Sequence, residues 1–155
     1  MKINRFSKPP LFILYLLLPL ACLCQGTVNI DNPRINLPLP GTSVTAGYFE
    51  IVNNTNEPVV LTGVSSTAFG KIEMHRSIVR DGIAKMEQHE SITVPANSKL
   101  AFAKGDYHLM LFNPGQDLAR DDSINLVFTF ADGTTMDVMA RVQEMNMDGE
   151  DHHQH

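Results

Sequence analysis

From Val28 to Val142 the chain alternates short runs rich in Val, Ile, Thr and Phe with clusters of Asn, Gly, Pro and Asp. Runs of this length and composition, closed by turn residues, read as half-buried β-strands. The pattern predicts strands at Tyr48–Val52, Val59–Val64, Lys71–Val79, Ala84–His89, Lys99–Ala103, Tyr107–Phe112, Ile124–Phe130 and Thr135–Val142. Asn53 to Pro58 is a polar turn, and Ala131 to Thr134 is a hairpin connection around Asp132-Gly133. There is no amphipathic helical stripe and no internal repeat. About eight short strands predict an all-β fold, a sandwich or a barrel. After Val142 the pattern fails, and Asp148 to His155 is too polar to bury a core face.

The N-terminus has another character. Lys2, Arg5 and Lys8 precede a run from Leu11 to Leu23 that is apolar except for Tyr15 and Pro19. This is the layout of a secretory signal, and the run is shorter than the ~20 residues a membrane-spanning helix needs. The expected division is a signal peptide over 1–24, one β-domain over 25–143 and a flexible Met- and His-containing tail over 144–155. Leu20-Ala21-Cys22 also allows lipid attachment at Cys22, but Pro19 stands where such signals normally have Leu, so a soluble periplasmic protein is the expectation.

Loss of residues 1–24 removes three positive charges and no negative ones, taking the formal charge from −5 to −8. An acidic domain repels phosphate backbones and anionic lipid, which excludes nucleic acid as the expected partner. Both cysteines, Cys22 and Cys24, fall in the signal, so the mature domain has neither thiol nor disulfide and must rely on a packed core. Roughly 130 residues suffice for one.

Asp81-Gly82 is the pair a two-residue type I′ turn prefers. Centring the turn there pairs Arg80 with Ile83, Ser77 with Met86 and His75 with Gln88. His75 shares the face of Ser77, which makes Met86 its diagonal neighbour across the hairpin, while Met74 and His89 point the other way. In the strand from Tyr107 to Phe112, His108 and Met110 share one face and Tyr107, Leu109 and Leu111 the other. Singly, a strand Met is most often a core filler and a strand His a hydrogen-bonding residue. Together His75, Met86, His108 and Met110 make a set of two imidazoles and two thioethers. Thioethers are soft ligands suited to Cu(I) and poor for zinc, calcium or magnesium. They also keep binding metal in an oxidising compartment, where a thiol pair tends to become a disulfide.

The spacing His-x10-Met-x21-His-x-Met, with Glu73-Met74-His75, Gly82, Met86, Val94-Pro95-Ala96, Gly105 and His108-Leu109-Met110-Leu111, resembles the periplasmic copper chaperones called PCu(A)C over roughly Val28 to Val142. The resemblance implies a cupredoxin-like β-sandwich. It also implies delivery of copper to an acceptor such as a cytochrome c oxidase subunit, for assembly of its binuclear copper centre, often beside a Sco-type thiol protein. Two departures stand out: Asn97 where that family commonly has Gly, and Lys104-Gly105-Asp106-Tyr107 where it has a Gly pair. Asn tolerates positive φ, whereas Asp106 adds charge beside the second His.

Other readings compete. A blue-copper electron carrier needs a cysteine thiolate, which the mature chain lacks. Copper buffering or resistance uses the same ligands without a dedicated acceptor. A metal-free adhesive or assembly sandwich is a third reading. No nucleophile-elbow motif points to an enzyme, and a four-ligand site leaves no open position. The expectation is a monomeric, non-enzymatic Cu(I) carrier without a membrane span. In the tail, Met145, Met147, His152, His153 and His155 place five donors within eleven residues, a second site whose imidazoles suit Cu(II).

Overall fold

The computed structural model describes residues 26–145. They form ten strands and no helix: β1 (Val28–Asn36), β2 (Val44–Asn53), β3 (Val59–Ser65), β4 (Phe69–Arg80), β5 (Ile83–His89), β6 (Ile92–Val94), β7 (Ser98–Phe102), β8 (Tyr107–Pro114), β9 (Ser123–Phe130) and β10 (Thr135–Gln143). All are joined in the order β5-β4-β8-β7-β2-β1-β10-β9-β3-β6, and β8 pairs with β2 as well. The eight strands expected from the sequence correspond to β2, β3, β4, β5, β7, β8, β9 and β10.

The count is ten rather than eight, for local reasons. In β1, Pro33 lacks an N–H, Asn32 takes φ of 49° and the register with β2 shifts between Asp31 and Arg34. This bulge breaks the alternation by which a strand is read. Its second half still pairs with β2 on one side and, in parallel, with β10 on the other, burying Ile35 completely. β6 has only three residues, too few to show a period.

The sheet folds on itself so that its inner faces meet. Phe49 of β2 stacks on Phe102 of β7 at 4.1 Å and meets Phe128 of β9 edge-on at 4.9 Å. β2 and β9 are separated by two strands along the sheet, so the second contact crosses the interior and joins two layers. Leu61, Leu109, Leu111, Leu126 and Val142 complete the dry core, each such side chain contributing roughly 1.5–3 kcal/mol through burial. Asn53, fully buried among them, is satisfied: its amide donates to the carbonyls of Glu57, Val94 and Pro95 and ties the end of β2 to the loop before β7. In that loop Asn97 takes φ of 50°, a conformation Asn reaches with little strain.

Candidate metal centre

The β4–β5 hairpin turns on Asp81 and Gly82, both with positive φ (56° and 75°), as a type I′ turn requires. That fixes the register Arg80 with Ile83, Ser77 with Met86 and His75 with Gln88. On its other edge β4 pairs with β8, setting His75 directly opposite His108 and Glu73 opposite Met110. The period-two alternation therefore sends His75, Met86, His108 and Met110 out of one face of three adjacent strands, with β4 in the middle. The opposite face is core: Met74, Leu109 and Leu111 are buried there, and His89 lies edge-on to Tyr107 at 5.4 Å.

Met86, His108 and Met110 line one hollow of about 240 Å³, shared with Ala46, Tyr48 and Lys104. His75 stands beside it, its ring 6.1 Å from that of His108 and tilted by 37°. The donors grade from outside inward: Met86 is 61% exposed, and His108 is buried. The thioether on the edge strand is thus the most solvent-accessible of these donors.

Both imidazoles have a fixed outer partner. Nδ1–H of His108 donates to the Asp106 carbonyl at 3.0 Å, which leaves the Nε2 lone pair free. Nε2–H of His75 donates to Glu73 Oε2 at 2.8 Å, which leaves the lone pair on Nδ1, and that atom is buried without any hydrogen-bond partner. An orphaned buried acceptor costs about 1–3 kcal/mol, a penalty that a coordinated cation would relieve. Lys71 also pairs with Glu73, and the hydrogen bonds from Lys71 and His75 hold this carboxyl below the usual carboxylate range. Glu73 thus works as an orienting anion behind the imidazole.

The loop that carries the Asp106 carbonyl is itself clamped. Arg76 Nε donates to the Asp106 carboxylate at 2.9 Å, its guanidinium lies 4.8 Å from the centre of the Tyr107 ring, and the Ser77 N–H donates to the same Asp106 carbonyl. The charge that Asp106 adds to the loop is neutralised by Arg76. Sequence reasoning assigned no role to Glu73 or to the Asp106 carbonyl. The Glu73 signal was its i−2 spacing from His75 on one strand face; the carbonyl leaves no trace in residue identity.

Among the described residues no three His, Cys, Asp or Glu side chains gather to hold an ion. The Glu73 carboxylate on this face is taken up by Lys71 and His75, and the remaining donors are imidazole and thioether, a composition suited to a soft cation. Of the tail donors, Met145 is described, exposed beyond β10; Met147, His152, His153 and His155 lie outside the described residues, as do the expected signal over 1–24 and Cys22.

The fold and this face place the chain in a class of small all-β domains. Residues 28–142 match the family described as "Putative lipoprotein LpqE-like", and the chain belongs to it. It is similar to the protein RP573 of Rickettsia prowazekii (strain Madrid E), described as uncharacterized, with 32% identity over 79% of this chain. It is also similar to the putative lipoprotein Lxx21020 of Leifsonia xyli subsp. xyli, with 26% identity over 68% of the chain. The matches span 64% of the length of each of these relatives. Among solved structures, the copper-bound PCuAC domain from PmoF2 superposes with a TM-score of 0.66 at 21% identity, over 78% of this chain and 96% of that one. The Cu(I) form of DR1885 from Deinococcus radiodurans superposes with a TM-score of 0.61 at 23% identity, over 83% of each chain. The fold is that of the cupredoxin-like PCuAC domains.

Proposed function

We propose that this chain is an exported copper chaperone that carries one Cu(I) on His75, Met86, His108 and Met110 and releases it to an acceptor protein. One observation carries the reading: the cross-strand pair His75–His108, with Met86 and Met110 on the same sheet face, presents two imidazole lone pairs and two thioethers together. Support comes from similar folds described as copper-bound and as a Cu(I) form. A site without thiolate yields its metal to a thiolate-bearing acceptor, and the exposure of Met86 leaves one ligand open to displacement. This favours delivery over buffering. From the resemblance, the acceptor is a cytochrome c oxidase subunit or a Sco-type thiol protein, and the destination is the binuclear copper centre. The chain performs no catalysis in this reading and acts as a monomer.

Export is supported by the signal layout and by the lipoprotein description of the family. The protein then works in the periplasm, free after cleavage near Cys24 or held by lipid at Cys22; palmitate labelling separates the two. The tail donors Met145, Met147, His152, His153 and His155 form a second, Cu(II)-preferring site. Truncation after Val142 is expected to lower Cu(II) stoichiometry and leave the single Cu(I) in place.

The deciding experiment is anaerobic Cu(I) titration with X-ray absorption, followed by transfer to apo-acceptors. The expected result is one Cu(I) per chain with mixed sulfur and nitrogen scattering, no displacement by equimolar zinc, and copper appearing on the acceptor. A nitrogen and oxygen shell without sulfur would overturn the ligand set. Tight binding without transfer would select buffering.

A further inference from the structure

The sheet ends on two strands, β5 and β6, and the chain treats these edges differently. β6 has three residues, too short a template for another strand. β5 has seven, Ile83-Ala84-Lys85-Met86-Glu87-Gln88-His89, with no Pro and no register shift against β4. Ile83 and Met86 are exposed along it, and Val79 stands exposed opposite Ala84. Among the described residues no strand covers its outer side. The Ser77 N–H donates to the Asp106 carbonyl, away from β5, so Ser77 and Met86 form a non-hydrogen-bonded pair of the hairpin. By the alternation of an antiparallel ladder, the N–H and C=O of Ala84, Met86 and Gln88 therefore point outward, away from β4.

A second copy of this strand complements that edge in one register. An antiparallel copy must set its own outward groups opposite these, which restricts where a twofold axis can fall. An axis at Lys85 or at Glu87 sets like charges directly opposite each other. An axis at Ala84 or at Gln88 runs each copy past an end of the other strand. The axis at Met86 pairs Ala84 with the partner's Gln88, Met86 with the partner's Met86 and Lys85 with the partner's Glu87, and symmetry repeats the ion pair. Lys85 and Glu87 then occupy non-hydrogen-bonded positions, where opposed Cα atoms are about 4.5 Å apart and side chains meet most closely. Both side chains have room for this. Among the described residues Lys85 has no carboxylate within ion-pair distance, and Glu87 has one loose contact, to Arg80 at 3.6 Å.

We propose that two copies of this chain pair reversibly through β5 about a twofold axis at Met86, joining their sheets into one. The axis is perpendicular to the sheet, so the two faces that bear His75, His108 and Met110 point the same way. The two Met86 side chains lie side by side between them, on Cα atoms about 5.5 Å apart. The pairing needs no metal. Its consequence rests on the copper reading above: each Met86 covers the other, so the pair holds Cu(I) in reserve and the single chain is the form that meets the acceptor. The test therefore begins with the metal-free mature chain at low ionic strength. Sedimentation over an about hundredfold range of protein concentration is expected to show a monomer passing into a dimer. Lys85→Glu and Glu87→Lys, both at exposed positions, are each expected to weaken association at least about two- to thirtyfold, the range two exposed ion pairs supply. Their equimolar mixture is expected to form the mixed dimer, in which every charge again meets its opposite. Lys85→Cys and Glu87→Cys, oxidised together, are expected to cross-link faster than either variant alone, and the amides of Ala84, Met86 and Gln88 to shift with concentration while those of β6 do not. A monomer at every concentration would overturn the pairing, as would a dimer indifferent to both charge reversals. β5 amides that respond only to an added acceptor would also overturn it and assign the edge to that acceptor. In the Cu(I)-loaded protein, loss of copper to excess chelator is expected to slow as the parent dimerises and to stay constant in the Lys85→Glu variant. Release indifferent to concentration, with the dimer present, would overturn the covering role alone.

Discussion

His108 takes its tautomer from a backbone carbonyl, whereas His75 takes its own from a carboxylate, so the two imidazoles answer differently to substitution around them. Glu73→Leu removes the acceptor for His75 Nε2–H and frees the proton to move to Nδ1, the nitrogen that would bind Cu(I) in the proposed site. Outer partners of ligating histidines are worth about 10–100-fold in metal affinity, and a loss of this size is expected in chelator competition. Nitrogen-15 spectra of the imidazole should show His75 changing tautomer while His108 does not; an unchanged His75 would remove Glu73 from the site. Methionine gives a parallel contrast. Met86→Ala is expected to weaken Cu(I) binding with little effect on folding, because its side chain is mostly in solvent. Met74→Ala should do the reverse: Met74 is 4% exposed in the core, and its truncation costs about 2–5 kcal/mol without touching the ligand set. Denaturant melts and Cu(I) affinities measured on both variants check this, and an affinity loss for Met74→Ala as large as that for Met86→Ala would mean that the sheet faces are misassigned.

At the scale of elements, the β4–β5 hairpin converts a turn dipeptide into the register that sets Met86 on the face of His75. Gly82 has φ of 75° and open space where a Cβ would stand, so a larger residue meets conformational strain and no clash. Gly82→Val is expected to cost about 1–2 kcal/mol or to shift the turn by one residue, turning Met86 to the wrong face. Asp81→Gly preserves the turn and should preserve the affinity. The other hairpin supplies a pH-dependent term. Asp132 accepts hydrogen bonds from the Thr134 amide and hydroxyl, which lower its pKa from the ordinary 3.8. A lowered folded pKa stabilises the protein at pH above the unfolded value and loses that stabilisation as pH falls through the folded one. Asp132→Asn is therefore expected to flatten the acid limb of the stability curve below about pH 4, which melting temperatures across that range would reveal. Elements also divide what a reader of the sequence can see. The Asp81-Gly82 register and the i, i+2 pair His108 and Met110 were legible because short turns and strand alternation are local rules. The pairing that sets His75 opposite His108 joins residues 33 positions apart, and no local rule fixes it. β1 was hidden by its own bulge at Asn32-Pro33, although it is the strand that joins the two halves of the sheet through β2 and β10.

For the whole molecule, the site and the core are coupled through one sheet. The four candidate ligands stand on β4, β5 and β8, and the opposite face of β4 and β8 supplies Met74, Leu109 and Leu111 to the core. A ligand that joins these strands binds the folded chain and not the unfolded one, and mass action then adds stability of about 2.7 kcal/mol at a free concentration one hundred times Kd. The Phe49–Phe102–Phe128 cluster offers a place to measure this away from the metal face. Phe128→Ala removes the ring that bridges the two layers at a cost of about 3–5 kcal/mol, a large share of the 5–15 kcal/mol that holds a typical domain together. The metal-free variant is expected to melt well below the parent, and Cu(I) should raise its melting temperature by much the same free energy as it raises that of the parent, since Phe128 touches no candidate ligand. Phe128→Ala combined with His108→Ala should lose that increment; because His108 is buried and hydrogen-bonded, the increment of the double variant is taken from its own metal-free melting temperature. Equal Cu(I) stabilisation of the single and double variants would show that the metal is held by something other than the β4–β5–β8 face.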